Sequence, residues 1–106
     1  MVEIKAFDGT NVTVIEEIVI HVRRKHSEVF SLVGLNDEEF FGLICDLFRK
    51  PLEVYIDSSG SKYFLKKFND LYFNVIVDEG VARTAYLINS KSHSRMRRRK
   101  WLQRLC

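Results

Sequence analysis

The chain has 106 residues, of which 46% are hydrophobic and 29% are charged. This length and composition are typical of one packed globular domain and exclude a disordered chain, which would contain far fewer apolar residues. No stretch approaches about 18 consecutive uncharged apolar residues, and the N-terminus lacks a basic segment followed by an apolar one. We therefore expect a cytoplasmic protein that makes no contact with a membrane.

The charges are distributed unevenly along the chain. Of the 17 Lys and Arg residues, seven lie between Lys91 and Arg104 in a stretch without acids, so residues 1–90 hold ten basic residues against 14 acidic ones. The sequence therefore predicts a mildly acidic domain, residues 1–90, and a basic C-terminal tail, residues 91–106. Such a run is often only solvated or disordered, but its excess of cations beside a tryptophan favours contact with RNA or another polyanion. The residues expected to make this contact are Arg95, Arg97, Arg98, Arg99, Lys100 and Trp101.

The pattern of apolar residues predicts a hairpin followed by two helices. Residues 2–7 and 12–14 flank the turn sequence Asp8-Gly9-Thr10, which is typical of a β-hairpin. The spacing then becomes helical. The apolar stripe of this first helix consists of Ile15, Ile18, Val19, Val22 and His26, with Val29, Phe30 and Val33 extending it. A second helix begins at Asn36, which is spaced to form a capping box with Glu39, and it ends before Pro51.

Beyond this proline the apolar pattern has a period of two, which predicts strands at residues 52–56, 62–68, 71–77 and 81–88. Connections this short join antiparallel neighbours, so the strands should form a meander. The expected fold class is α+β, with the N-terminal hairpin and two helices packed on one face of a four-stranded antiparallel meander. The basic tail is also compatible with a helix, whose apolar edge would consist of Met96, Lys100, Trp101 and Leu105.

Some residues have the chemistry of a functional site. His26 falls within the apolar stripe, so it is either a core-facing histidine or a general acid–base group. His21 projects from another side of the same helix and is expected to be a solvated surface residue. Lys66 lies between aromatic residues of one strand, a pattern typical of nucleic-acid contact, and Lys67 beside it is a candidate nucleic-acid-binding residue, although both lysines would equally suit a solvated sheet face.

The sequence lacks the motifs that hold cofactors. It has no glycine-rich phosphate loop, no His-x-x-His or carboxylate cluster with metal-ligand spacing, and no Gly-x-Ser-x-Gly elbow. We therefore expect neither a metal nor a small-molecule cofactor. RNA cleavage requires neither, because the 2′-hydroxyl is the nucleophile and the protein supplies only acid–base groups and cations.

Several short motifs occur in an order that resembles a group of small nucleases. Residues 20–29, with the sequence Ile-His-Val-Arg-Arg-Lys-His-Ser-Glu-Val, resemble the "H…RHPE" helix of the barnase, EndoU, RNase colicin and RelE-like (BECR-fold) family. A proline-marked turn into a strand, an aromatic–basic strand, an apolar strand and a "TAY" signature follow, at residues 51–55, 62–67, 73–77 and 83–86. The resemblance covers most of the body but neither the hairpin nor the tail.

This resemblance implies metal-independent RNA cleavage, often in toxin or phage-encoded settings. It nominates as catalytic residues His26, Lys66, Arg83, Thr84 and Tyr86. Ser27 stands where the family usually has proline. Strand alternation places Arg83 on the opposite sheet face from Thr84 and Tyr86, unless a β-bulge re-aims it.

Three functions stay open on the sequence. The first is a toxin-type endoribonuclease, and the second is a non-catalytic RNA-binding or regulatory protein of the same fold. In the third, the basic tail docks an acidic protein partner, such as a cognate antitoxin. RNA is the expected partner in the first two.

Overall fold

A computed structural model describes residues 1–33 and 36–105, and within this part the side chains of Leu32 and Val33 are not described. The expected place of the Val33 side chain in the first apolar stripe, and the tail's last residue, Cys106, therefore lie outside the described part of the structure. The fold is α+β, as expected. Its helices are α1 (Glu17–Lys25), α2 (Glu28–Val33), α3 (Asp37–Arg49) and α4 (Ser90–Arg97). Its strands are β1 (Val2–Lys5), β2 (Asn11–Val14), β3 (Glu53–Ile56), β4 (Lys62–Phe68), β5 (Leu71–Asp78), β6 (Val81–Asn89) and β7 (Gln103–Arg104).

The described strands form one mixed sheet in the order β1-β2-β6-β5-β4-β3-β7. The strands β3 to β6 pair as antiparallel neighbours, but the expectation of a separate four-stranded meander is wrong. The hairpin joins the same sheet because β2 runs parallel to β6 at Thr13 and Val81, where the Thr13 N–H donates to the Gly80 carbonyl oxygen at 2.7 Å. At the other end, β7 pairs with β3. The sheet is therefore seven-stranded over the described residues.

Three helices cover one face of the sheet and form the main core. Helix α3 begins at the expected capping box, in which the Asn36 side chain accepts from the Glu39 N–H and the Glu39 carboxylate accepts from the Asn36 N–H. Its apolar face meets the sheet through aromatic edges, with Phe48 centred 4.9 Å from Phe64. Burial of such rings is the dominant stabilising contribution to a domain of this size. The largest buried side chains here are Phe40, Phe48, Phe64, Phe73, Ile44 and Leu47.

The basic C-terminal segment is not a tail. Residues 90–97 form α4, which packs on the second face of the sheet, where Met96 is buried against Tyr55 and Leu65. The following residues reach the sheet edge, and the Leu105 N–H donates to the Val54 carbonyl oxygen at 2.7 Å. The expectation that all helices share one face is wrong for this reason. The second face of the sheet carries an apolar patch whose exposure to water would be unfavourable. The C-terminal segment buries this patch.

The first long helix is interrupted at His26. Its N–H still donates to the Val22 carbonyl oxygen at 2.7 Å, but its φ of −140° takes the chain out of the helical path. Ser27 precedes the first residue of α2, and serine favours helix starts. The side chain of His26 is therefore 31% exposed at the end of α1, and the expectation of one continuous stripe through His26 is wrong.

Among the described residues, no helix has both the length and the apolar character needed to cross a membrane.

Candidate active site at the edge of strand β6

The candidate site lies along one side of β6. On this side, the described part of β2 pairs with β6 only at Val81, and α1 packs beside the residues that follow. Thr84 and Tyr86 pair with Ile76 and Asn74 of β5, so their side chains emerge on the face that carries α4. The described part of β2 does not pair with β6 at these two residues. Side chains from α1 can therefore reach Thr84 and Tyr86 around this edge of the strand.

His21 makes the direct contact between α1 and this edge. Its Nε2 lies 3.0 Å from the Thr84 Oγ1, within hydrogen-bonding distance. A threonine hydroxyl both donates and accepts, so it can bond either tautomer of the imidazole. Although His21 is exposed, as expected, it is not a freely solvated residue, because this bond fixes its ring against β6.

His26 meets the same edge two residues further along β6, at Tyr86. Its ring packs against Tyr86, with centroids 5.2 Å apart and planes inclined by 34°. The Glu28 carboxylate lies 3.7 Å from His26 Nδ1. The two imidazoles are neighbours, with centroids 6.3 Å apart. The break after α1 matters for this geometry, since residues five apart on a regular helix point about 140° away from each other.

A β-bulge brings Arg83 to the site. In the β5–β6 pairing, Ile76 faces Thr84 whereas Val77 faces Ala82, so Arg83 is an extra residue without a partner on β5. A bulge bends the strand locally and re-aims a side chain. Arg83 consequently lines a cavity of about 380 Å³ together with His21 and Glu17 of α1. Strict alternation would have placed Arg83 on the opposite face from Thr84 and Tyr86, and the bulge interrupts that alternation.

Not all of the expected site residues meet here. Lys66 pairs with Phe73 on the face covered by α1 to α3, and it lines a separate cavity with Asp46 and Arg49. The structure therefore does not bring Lys66 to the histidines. Lys67 pairs with Tyr72, so it belongs to the α4 face and is exposed there.

The cations of the C-terminal segment lie on the surface, and one of them reaches the site. Arg95, Arg97, Arg98, Arg99 and Lys100 are all exposed. Arg99 lines a cavity that it shares with Tyr86, and its guanidinium also lies 5.2 Å from the ring centroid of Trp101, which is 48% exposed. Of these cations, Arg99 is thus the one that connects the C-terminal segment to Tyr86, whereas Arg97 lies near Tyr55 of β3.

Tyr63, a nearby tyrosine, is not a candidate acid–base group. Burial, followed by the hydrogen bond that the Tyr63 hydroxyl donates to Asp57 at 2.8 Å, raises the pKa of Tyr63 to about 12. Its phenol is therefore neutral at physiological pH and acts as a structural donor.

The site brings two imidazoles together with a threonine hydroxyl and a tyrosine ring. Within residues 1–33 and 36–105, no three His, Cys, Asp or Glu side chains are grouped to hold a metal ion. His26, Arg83, Thr84 and Tyr86 were singled out from the sequence, whereas His21 was not. The sequence feature that could have identified His21 is its position five residues before His26. This spacing brings the two rings together only because α1 ends between them. No family model, curated protein or solved structure matches this chain.

Proposed function

We propose that the protein is a metal-independent endoribonuclease in which His21 and His26 are the acid–base pair. One observation carries this proposal: two imidazoles with centroids 6.3 Å apart lie against the Thr84 hydroxyl and the Tyr86 ring. Paired imidazoles are the groups best suited to move protons near neutral pH. An arginine beside them supplies positive charge for a phosphate.

The chemistry balances with these groups alone. One neutral imidazole accepts the proton of a ribose 2′-hydroxyl as its oxygen attacks the adjacent phosphorus. The bond from phosphorus to the 5′-oxygen breaks, and the second imidazole, in its protonated form, donates a proton to that oxygen. The products are a 2′,3′-cyclic phosphate and a free 5′-hydroxyl, and proton exchange with water restores both histidines.

Other residues have supporting roles in this scheme. Arg83 balances the charge that develops on the phosphate, because a guanidinium donates to two phosphate oxygens at once. Thr84 holds the His21 ring, and Glu28 holds the His26 ring. The exposed cations of α4 and the residues after it hold the RNA backbone, mostly through charge.

The test is cleavage of single-stranded and structured RNA by purified protein in EDTA. We expect His21→Ala and His26→Ala each to reduce the cleavage rate by about 10²–10⁴-fold while RNA binding persists. Arg24→Ala is the matched control, since Arg24 is an exposed residue on the same helix, and it should cleave at nearly the wild-type rate. Full cleavage by a His21→Ala/His26→Ala double variant would overturn the proposal.

A second candidate is a non-catalytic RNA-binding protein, which the exposed cations of the C-terminal segment favour. Intact RNA together with salt-sensitive binding would support it. Deleting this segment is a poor test, because Met96 buries part of the sheet, so the arginines should be replaced by glutamine instead. Absence of RNA binding at low salt would leave a protein partner, such as an antitoxin.

A further inference from the structure

Asn74 is a buried polar residue with no evident structural task. It lies in the central part of β5, where it pairs with Leu65 of β4 and Tyr86 of β6. Its side chain is only 1% exposed, and its Oδ1 has no hydrogen-bond partner among the described residues. Buried polar atoms in proteins are nearly always paired, so an unpaired one points to a bound group.

Asn74 lines a cavity of about 90 Å³ between the sheet and α4. A cavity of roughly 10–15 Å³ is enough for one water molecule, so this one has room for a larger group. The cavity is lined by Asn74, Tyr86, Ile88, Ser92, Met96 and Arg99. Its walls thus combine an amide, an aromatic ring, a hydroxyl and apolar side chains, with an exposed arginine at the rim.

The chemistry of these walls restricts the occupant. An unpaired amide oxygen requires a hydrogen-bond donor, which a fully ionised inorganic anion such as sulfate does not offer. A metal cation is disfavoured by the guanidinium of Arg99. The Asn74 amide has an oxygen that accepts and an NH2 that donates hydrogen bonds. A flat group with a donor beside an acceptor can bond both, and the edge of a nucleobase has this arrangement.

We propose that this cavity is a nucleobase subsite in which the amide of Asn74 reads the edge of one base. The proposal rests on the proposed ribonuclease function, because Tyr86 connects the two sites. The ring that packs against His26 is also a wall of the cavity, so a base held by Asn74 adjoins the histidines. Arg99 at the rim meets the phosphate of the same nucleotide. RNA-binding proteins commonly hold an unstacked base in this way, between a ring and hydrogen-bonding groups.

The experiment measures binding without cleavage. The 3′-monophosphates of adenosine, cytidine, guanosine and uridine are titrated into the full chain while the Asn74 side-chain amide signals are followed by NMR. We expect one nucleotide to bind more tightly than the others and to shift these signals. Asn74→Leu should reduce that preference by about 5- to 150-fold, the range for loss of one bidentate contact between an amide and a base.

Further variants separate binding from folding. Ser92→Leu fills the mouth of the cavity without altering Asn74 and should produce the same loss of preference. Arg99→Gln and Arg98→Gln remove equal charge, but only Arg99 lines the cavity, so the Arg99 variant should weaken nucleotide binding more. Thermal unfolding should show Asn74→Leu to be no less stable than the wild type, because it removes an unpaired buried group.

Two results would overturn the subsite. One is an absence of Asn74 shifts at millimolar concentrations of all four nucleotides, which would mean that the cavity holds ordered water only. The other is a base preference that Asn74→Leu leaves unchanged. Either result with RNA still cleaved would leave the ribonuclease proposal standing. Asn74-dependent binding without cleavage would retain the subsite and remove the enzyme.

Discussion

His93 on α4 and Glu53 on β3 form a buried pair, with the imidazole Nε2 3.2 Å from both carboxylate oxygens. The Tyr55 hydroxyl donates to the same carboxylate at 2.5 Å. The ring of Tyr72 stacks on His93, with centroids 3.8 Å apart and planes inclined by 14°. This polar cluster fixes α4 to the sheet, because Glu53 and Tyr72 both lose their contacts with His93 if the helix leaves.

The first prediction concerns the acid stability that this pair confers. Burial raises the pKa of the Glu53 carboxyl, but the hydrogen bonds from Tyr55 and His93 and the charges of His93 and Arg104 outweigh it, so the pKa lies below its ordinary value of 4.5. A carboxyl whose pKa is lowered by folding stabilises the fold fully when the pH is above its pKa in the unfolded chain. This contribution is lost as the pH falls through its pKa in the folded protein. We expect Glu53→Gln to lower the free energy of unfolding by about 1–3 kcal/mol at pH 7.

Urea unfolding between pH 7 and pH 3 tests this prediction. The difference in free energy of unfolding between wild type and Glu53→Gln should shrink as the pH falls below the ordinary pKa of a glutamate. Glu38→Gln is the control, because Glu38 is exposed and should show little difference at any pH. A difference between wild type and Glu53→Gln that stays constant over this range would contradict the lowered pKa.

The second prediction concerns the apolar contact of α4. Met96 is 7% exposed and packs against Tyr55 and Leu65. We expect Met96→Ala to reduce the free energy of unfolding by about 2–4 kcal/mol, since it removes buried contacts and leaves a cavity. Chemical unfolding measures this, with Ile20→Ala as the control, because Ile20 is an apolar residue that is 56% exposed. Equal stability of the two variants would mean that the C-terminal segment is a detached tail after all.

Sequence patterns indicated that this segment could be a helix with Met96 on its apolar edge, but they did not supply the surface that it covers. Its charge indicated a polyanion partner, but charge does not reveal packing. The apolar residues that it covers, such as Leu65 and Tyr72, alternate with core residues along the strands and resemble a solvated face with scattered aromatics. His93 lies in a polar run, and its pairing with Glu53, which is 40 residues away, has no local signal.

The elements with local signals were predicted well. The capping box at Asn36 and the boundaries of β4 to β6 followed from turn residues and periodicity, which depend on near neighbours. The parallel contact between β2 and β6 did not, because strand order is set by long-range packing. A family resemblance nominated His26, Arg83, Thr84 and Tyr86; in the structure His26 packs on Tyr86, and Arg83, at a bulge, lines a cavity with His21.

The third prediction concerns Thr84 as a positioning residue for His21. Thr84→Val keeps the shape of the side chain but removes the hydroxyl that bonds His21 Nε2. We expect kcat for RNA cleavage to fall by about tenfold, the equivalent of one hydrogen bond, with a shift in the pH–rate profile and little change in KM. Thr84→Ser keeps the hydroxyl and should retain most of the activity. Equal kcat values and pH profiles for the two variants would exclude this role.

The fourth prediction concerns how the C-terminal cations bind RNA. Arg97 and Arg98 are exposed, and neither lines the cavity that contains Asn74. Each arginine that contacts a phosphate releases counterions, so each replacement by glutamine should reduce the slope of log Kobs against log salt by about 0.7 for single-stranded RNA. Binding assays over a series of salt concentrations measure the slope. Lys5→Gln is the control, because Lys5 lies on β1 at the far end of the sheet and its loss should leave the slope nearly unchanged. If Lys5→Gln reduces the slope as much as Arg97→Gln does, RNA responds to total charge, and the surface formed by α4 is not its binding site.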